Sequence, residues 1–241
     1  MRYALGMRSR NALSPEPDIA AVAATIGDPA RALMLLALLD GTERPASELA
    51  LRAGTSPPAC TAHLKRLLAA GLVVSRRDGR HHFFRLASSH IGRALETLAS
   101  IAPAKRIATL QQRTVMDRMR VARSCYDHLA GRLGVAVTDA LVERGALRRD
   151  EDGFSIGAHP GLFEQLGVDL AAASRGRRAI ARACLDWTER RHHLAGSIGA
   201  ATCERFLLQR WVTRSRTDRS LTITQRGEDA LERILGIRVE A

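Results

Sequence analysis

Two short stretches carry the residue types best suited to chemistry. Cys125-Tyr126-Asp127-His128 puts a thiol, a carboxylate and an imidazole within one turn of chain, and Cys184-Leu185-Asp186-Trp187 repeats the Cys-x-Asp spacing. Thiolate and imidazole together suit a soft metal ion. Residues three apart share a face of a helix, so a helix already begun at Cys125 places His128 beside it. Two Cys-x-Asp copies that meet across a symmetric fold would complete such a site. A second reading stays open: Cys125 and Cys184 are small core residues, and Asp127 and Asp186 cap helices. Tyr126 and Trp187 add large surfaces, suited to a small organic ligand or to a core. Cys125, Asp127 and His128 also include nucleophile and base types. Yet the chain has no Gly-rich phosphate loop, no nucleophile elbow and no HExxH, so neither an enzyme nor a catalytic residue is expected.

These stretches lie in a half of the chain that repeats itself. His128-Leu129-Ala130-Gly131-Arg132-Leu133-Gly134 matches His193-Leu194-Ala195-Gly196-Ser197-Ile198-Gly199 at a spacing of 65 residues. Both copies are expected to continue as amphipathic helices, to about residues 144 and 209. Each is then followed by an apolar run, a polar turn, a second run and a short helix, near residues 162–166 and 225–235. Two copies are too few for a solenoid, so one compact domain of two winged-helix-like repeats is predicted. His193 thereby joins Cys125, Tyr126, Asp127, His128, Cys184, Asp186 and Trp187 as a candidate effector-binding residue.

The formal net charge of the 241-residue chain is +12. The excess sits in residues 1–124, and residues 125–241 are close to neutral. A basic half joined to a near-neutral half suggests a polyanion-binding domain followed by something else. No run approaches the ~18 apolar residues of a membrane span, and no secretory signal is expected because residues 1–15 lack an apolar segment. The four cysteines, Cys60, Cys125, Cys184 and Cys203, form no CxxC pair, which fits a reduced cytoplasm rather than a disulfide scaffold.

Helix punctuation opens the basic half. Ser14-Pro15 precedes a short helix from Asp18. Asp28-Pro29 caps a second, rich in Leu and closed by Gly41. Residues 47–53 form a third, ended by Gly54, and Ser56-Pro57 starts a fourth that runs to Ala70. After Gly71 the period shortens: residues 72–75 and 81–86 read as strands joined at Asp78-Gly79. A long helical stretch follows over residues 89–123. Ile91, Leu95, Leu98 and Ile101 form its stripe, Pro103 kinks or splits it, and Ile107 and Leu110 resume it. Such a stripe needs a packing partner, and a second subunit is the economical choice.

The order Ser47-Glu48-Leu49-Ala50, Gly54, Thr55 to Leu67, Ala70-Gly71-Leu72-Val73, then the basic hairpin Arg76-Arg77-Asp78-Gly79-Arg80-His81-His82, resembles the winged helix-turn-helix of ArsR-type bacterial repressors. The resemblance covers about residues 18–100. It implies a homodimer on a double-stranded DNA operator, with the fourth helix in the major groove. Ser56, Pro57, Thr61, Ala62, His63, Lys65 and Arg66 would line that helix, and Arg76, Arg77, Arg80 and His81 the wing. Lys65, Arg66 and the wing arginines would meet phosphate, a positioning role with little sequence information. The family often has glutamine and arginine where this chain has Pro57 and Ala62, so base readout falls to Thr61, His63, the wing or DNA shape. His63 is equally suited to capping or packing, and Cys60 to the core.

ArsR-type repressors commonly release DNA when a metal binds, and the resemblance fails at those places. Residues 46–53 hold no cysteine cluster, and residues 89–123 offer only His90, Glu96 and Asp117. The sensor is therefore expected in the C-terminal half. The expected fold is mainly α with small β-hairpins. It divides into a winged helix-turn-helix (1–88), linker and dimerisation helices (89–124) and a duplicated effector domain (125–241). No cofactor is expected, with a soft metal ion as the alternative. The partners are operator DNA, a second copy and a small-molecule effector, with no membrane and a cytoplasmic, nucleoid-associated location. A constitutive DNA-binding protein without effector is the third class.

Overall fold

The computed structural model describes residues 16–79, 81–103, 106–151 and 153–240. Four helices open it: α1 (Ile19–Ile26), α2 (Pro29–Ala37), α3 (Ala46–Ala53) and α4 (Pro57–Ala69). Their starts follow the capping chemistry read above. Asp28 accepts the N–H of Arg31 at 2.9 Å, with Pro29 in the first helical position. The side chain of Ser56 accepts the N–H of Ala59. Gly54 ends α3 in the left-handed region at φ 62°. Between α2 and α3, β1 (Arg44–Pro45) adds a short edge to the hairpin of β2 (Val73–Asp78) and β3 (His81–Leu86), in the order β1-β3-β2. Cys60, Leu64 and Leu67 are the inward face of α4. They close a core with Met34, Leu35, Leu49, Phe84 and Leu86.

The helical stretch after the wing is two helices, α5 (Ser89–Ile101) and α6 (Leu110–Val121), separated around Pro103. Its apolar stripe divides in use. Leu95 is buried in the core of the first half, whereas Leu98 and Ile101 are exposed.

The remainder repeats one order of elements. First come β4 (Arg123–Cys125), β5 (His128–Ala130), α7 (Gly131–Glu143), β6 (Leu147–Asp150), β7 (Gly153–Ile156) and α8 (Gly161–Gln165). A short α9 (Leu170–Ala173) intervenes. Then come β8 (Arg182–Leu185), β9 (His192–Ala195), α10 (Gly196–Leu208), β10 (Val212–Arg214), β11 (Leu221–Ile223) and α11 (Gln225–Leu235). These elements share a second buried core built on Leu133, Leu141, Phe163, Ile198 and Phe206. One expectation is corrected here: Cys125 and His128 do not lie on a helix. Each repeat opens with a β-hairpin, and its helix starts only at Gly131 or Gly196. Both glycines have positive φ, 74° and 90°, and a Cβ there would press on backbone oxygens at 2.6–2.8 Å, so the bend from strand to helix requires glycine. The two repeats interlock. Helix α7 packs on β9 of the other hairpin, and α10 packs on β5.

Among the described residues no single helix is long and apolar enough to cross a membrane.

Candidate functional site

Two regions carry the chemistry. The first is the outward face of α4 with the wing. Ser56, Pro57, Thr61, Ala62, Lys65 and Arg66 are exposed, while Leu64 and Leu67 point inward. The Thr61 hydroxyl donates to the carbonyl of Pro57 at 3.0 Å, which leaves its oxygen as an acceptor. His63 turns the other way, with Nδ1 3.6 Å from Asp28 at the start of α2, so packing describes it better than exposure. Cys60 is buried and its thiol points at the carbonyl of Ala46.

On the wing, Arg76 is tied down. It donates to Glu43 at 3.0 Å and to Asp78 at 3.1 Å and lies over the ring of Phe83. The hydrogen bonds it donates to Asp78 and Glu43 raise its pKa further. Arg77, Lys65 and Arg66 are exposed and, among the described residues, form no ion pair. His81 is exposed at the start of β3, its ring 6.3 Å from that of Phe83. Arg80 lies outside the described residues.

The second region is where the two repeat hairpins meet. Cys125 pairs across the strands with His128, and Cys184 pairs across with His193. The two pairs are therefore equivalent positions of the two repeats. Their sulfurs stand 3.7 Å apart, and their imidazole rings 5.1 Å. One donor atom from each of the four residues falls within 4.8 Å of the others. Cys125, His128 and His193 are buried and Cys184 is partly so.

Carboxylates stand behind the histidines. Asp127 Oδ1 lies 3.2 Å from His128 Nδ1, and Asp186 Oδ2 lies 3.4 Å from His193 Nδ1. Asp127 is held by Arg178. Asp186, fully buried, accepts from Arg123 at 2.9 Å, from the N–H of Gly131 at 2.7 Å, and from the N–H and hydroxyl of Thr188. It is a hub between the repeats rather than the cap of its own helix. Arg123 in turn lies over Trp187, 4.6 Å from the ring centre, so Trp187 packs against it rather than lining the cavity at the cluster.

The electrostatics follow this wiring. The hydrogen bond between the sulfurs, with burial, pushes the Cys125 thiol well up. The same bond, helped by His128 and His193 against burial, holds Cys184 down. Burial opposes charge on His128, but Asp127 and Cys184 raise it to about 9. Burial likewise opposes ionisation of Asp127, which His128 and Arg178 nevertheless lower to about 2.

A cavity of about 310 Å³ leads to this cluster between α5 and the hairpins, with Cys125, Tyr126, His128, Cys184, His90, Arg93 and Glu96 in its lining. Its wall thus belongs to both halves of the chain. Other contacts join them: Arg219 pairs with buried Glu96 of α5, Arg52 of α3 donates to the carbonyl of Thr217 at 2.7 Å, and Arg190 donates to the carbonyl of Ser100 at 2.8 Å. Glu96, considered above as a metal ligand, is committed to Arg219.

Sequence reasoning named all four cluster residues but missed the pairing of His128 with His193. It also missed buried Arg123 and Arg219 and half-buried Arg178, none of which composition singles out.

The description of the MarR family matches residues 28–82, rather than the ArsR type that the motif order resembles. The uncharacterized HTH-type transcriptional regulator YdfF of Bacillus subtilis (strain 168) is 39% identical over 224 residues, covering 92% of this chain and 99% of that protein. The HTH-type transcriptional regulator CmtR of Mycobacterium tuberculosis (strain ATCC 25618 / H37Rv) is 37% identical over 86 residues, 36% of this chain and 72% of that one. The solved structure of the cadmium metal-sensor CmtR from Mycobacterium tuberculosis aligns at 31% identity and a TM-score of 0.31, over 38% of this chain and 99% of that chain.

Proposed function

The chain belongs to the HTH-type transcriptional regulators, and from that premise we propose that it is a homodimeric repressor, released from its DNA operator by a ligand acting on residues 125–241. We read residues 1–88 as an ArsR-type winged helix-turn-helix, 89–124 as linker and dimer helices, and the remainder as two winged-helix-like repeats. A cytoplasmic, nucleoid-associated site of action and the absence of catalysis belong to the same reading.

The exposed face of α4 has the dimensions of a major-groove reader, with Thr61, Ala62, Ser56 and Pro57 toward base edges. Lys65, Arg66 and Arg77 are free to neutralise phosphate, and we assign His81 and Arg80 to the same contact with DNA. Arg76 is spent on Glu43 and Asp78 and contributes less. The dimer surface is the apolar face left bare: Ile101 of α5 and Ile19 of α1 are 75% and 76% exposed, and α1 buries no residue in its own chain. A two-fold pair of such faces is self-complementary.

The observation that carries the sensory half is the shared cavity wall. A ligand between α5 and the repeat hairpins would touch at once the C-terminal lobe and the helix whose Leu95 packs into the DNA-binding core. A second reading, a thiol-based sensor of a soft metal or of oxidation, is favoured by the approach of Cys125 and Cys184 to 3.7 Å.

The test begins with sequencing of the host DNA fragments that the full-length protein retains. Affinity for the recovered sequence should exceed that for random DNA by about 10³-fold or more at one stated salt. Equal affinities contradict the reading. DNA binding that no ligand alters would make the protein a constitutive binder.

A further inference from the structure

The geometry points to a closed site for one thiophilic divalent cation of the zinc class, with Cys125, His128, Cys184 and His193 as its four ligands. The regulatory part of this inference rests on the sensory role proposed for residues 125–241; the binding part rests on the two hairpins alone.

The spacing is that of a tetrahedron. With metal–sulfur bonds of about 2.3 Å, a tetrahedral site has a sulfur–sulfur edge of about 3.8 Å. Cys125 and Cys184 stand 3.7 Å apart, and all four donors lie within 4.8 Å of one another. A disulfide needs about 2.0 Å. Two thiolates and two imidazoles are a common set for tetrahedral zinc, whereas calcium and magnesium take oxygen ligands.

The histidines are set up as ligands. Nδ1 of His128 lies 3.2 Å from Asp127, the arrangement that fixes the ring and the tautomer of a metal-bound imidazole. Nδ1 of His193 lies 3.4 Å from Asp186 without a hydrogen bond among the described residues. Nε2 of both rings is buried and, among the described residues, makes no hydrogen bond. A buried unpaired nitrogen is costly, and coordination satisfies both.

The charge balances as well. Each nearby carboxylate is already matched: Asp127 by Arg178, Asp186 by Arg123, Glu96 by Arg219. That leaves the two sulfurs to be matched by the ion. Metal-bound cysteines are thiolates, so one dication and two sulfurs make a neutral centre. Each repeat supplies one cross-strand Cys–His pair, so the ion staples the two hairpins across their pseudo-symmetry.

The test uses the full-length protein, reduced and stripped with a chelator, titrated first with Co²⁺ and then with Zn²⁺. One Co²⁺ per chain is expected, with thiolate-to-metal charge transfer and the intense visible bands of tetrahedral cobalt, both removed by Zn²⁺. Cys125→Ser and Cys184→Ser should each weaken the charge transfer and lower affinity more than about 100-fold. Asp127→Asn should keep the spectrum and lower affinity about 10- to 100-fold. Cys60→Ala and Cys203→Ala should change neither. If a serine variant loses its circular-dichroism signature of helix, His193→Gln carries the same expectation with both thiols intact. Octahedral cobalt without charge transfer, or a spectrum unchanged in Cys125→Ser, overturns the site. Metal that binds as expected but leaves DNA affinity unchanged supports the site and removes the sensory role. DNA release by another ligand from a protein that binds no metal does the reverse.

Discussion

The ring of Tyr126 lies across Gly92 of α5: a Cβ added at position 92 would stand 2.7 Å from Tyr126 Cδ2. Tyr126 occupies the turn between β4 and β5, at φ 58°, a region that non-glycine residues seldom adopt. Its carbonyl also faces Gly41, beyond the end of α2. The tip of the hairpin that carries Cys125 and His128 is thus wedged against the reading head. Gly92→Ala should destabilise the protein by about 1–3 kcal/mol through overpacking. Tyr126→Ala should cost less in that background than alone, because the clash is gone. Denaturant unfolding of the four proteins of this cycle measures the coupling, and strictly additive effects would show that the two residues do not press on one another.

On the wing, the ion pairs separate two arginines that the sequence makes look alike. Arg77→Ala and Lys65→Ala should each weaken binding to every duplex and lower the salt slope by about 1. Arg76→Ala should change the slope less, since Glu43 and Asp78 already hold that side chain. Thr61→Ala should instead alter preference among operator variants. Binding isotherms over a range of salt decide, and a larger loss for Arg76 than for Arg77 would reverse the assignment.

Glu96 and Arg219 form a buried ion pair between α5 and the second repeat. Removing one partner leaves a buried charge unmatched. Arg219→Met should therefore cost about 3–5 kcal/mol, and Glu96→Leu together with Arg219→Met much less. Thermal unfolding of the single and double variants is the check. Equal losses would place the pair's value elsewhere.

How much of this was legible beforehand depended on what each residue signals locally. Asp28-Pro29, Ser56-Pro57 and Asp78-Gly79 act on their own backbone, so the helices and wing of the first half followed from them. The hairpins of the second half did not. His128–Ala130 is a three-residue strand, too short for alternation to show, and the matching His-Leu-Ala-Gly stretches read as helix starts. The likeness of Cys125 and Cys184 showed in the Cys-x-Asp spacing, but their equal pairing with His128 and His193 was hidden by turn length. Tyr126 and Asp127 alone join the first hairpin, whereas residues 186–191 join the second, so the histidines repeat at one spacing and the cysteines at another. Only pairing register restores the match. Asp186 stood out by its spacing, but its pairing with Arg123 gave no sign, because a buried ion pair is a property of tertiary packing.

The proposed dimer would cover the exposed apolar residues of α1 and α5. Ile101→Asp, with Leu98→Asp where one change is insufficient, should yield monomers with unchanged helix content and greatly weakened operator binding. Light scattering at micromolar concentration reads this out. A parent protein that is already monomeric would remove the dimer.

The central claim is that the Cys–His hairpins and the DNA-reading helix form one coupled device. The direct measurement is the affinity of full-length protein for its recovered operator, at one salt, stripped of metal and loaded with Zn²⁺, with the converse titration of Zn²⁺ with and without operator. The account predicts that loading weakens DNA binding by about 5- to 150-fold, and that DNA weakens Zn²⁺ binding by the same factor. Cys184→Ser should abolish both effects while keeping the stripped protein's affinity for DNA. Identical DNA affinities with and without bound Zn²⁺ would contradict it.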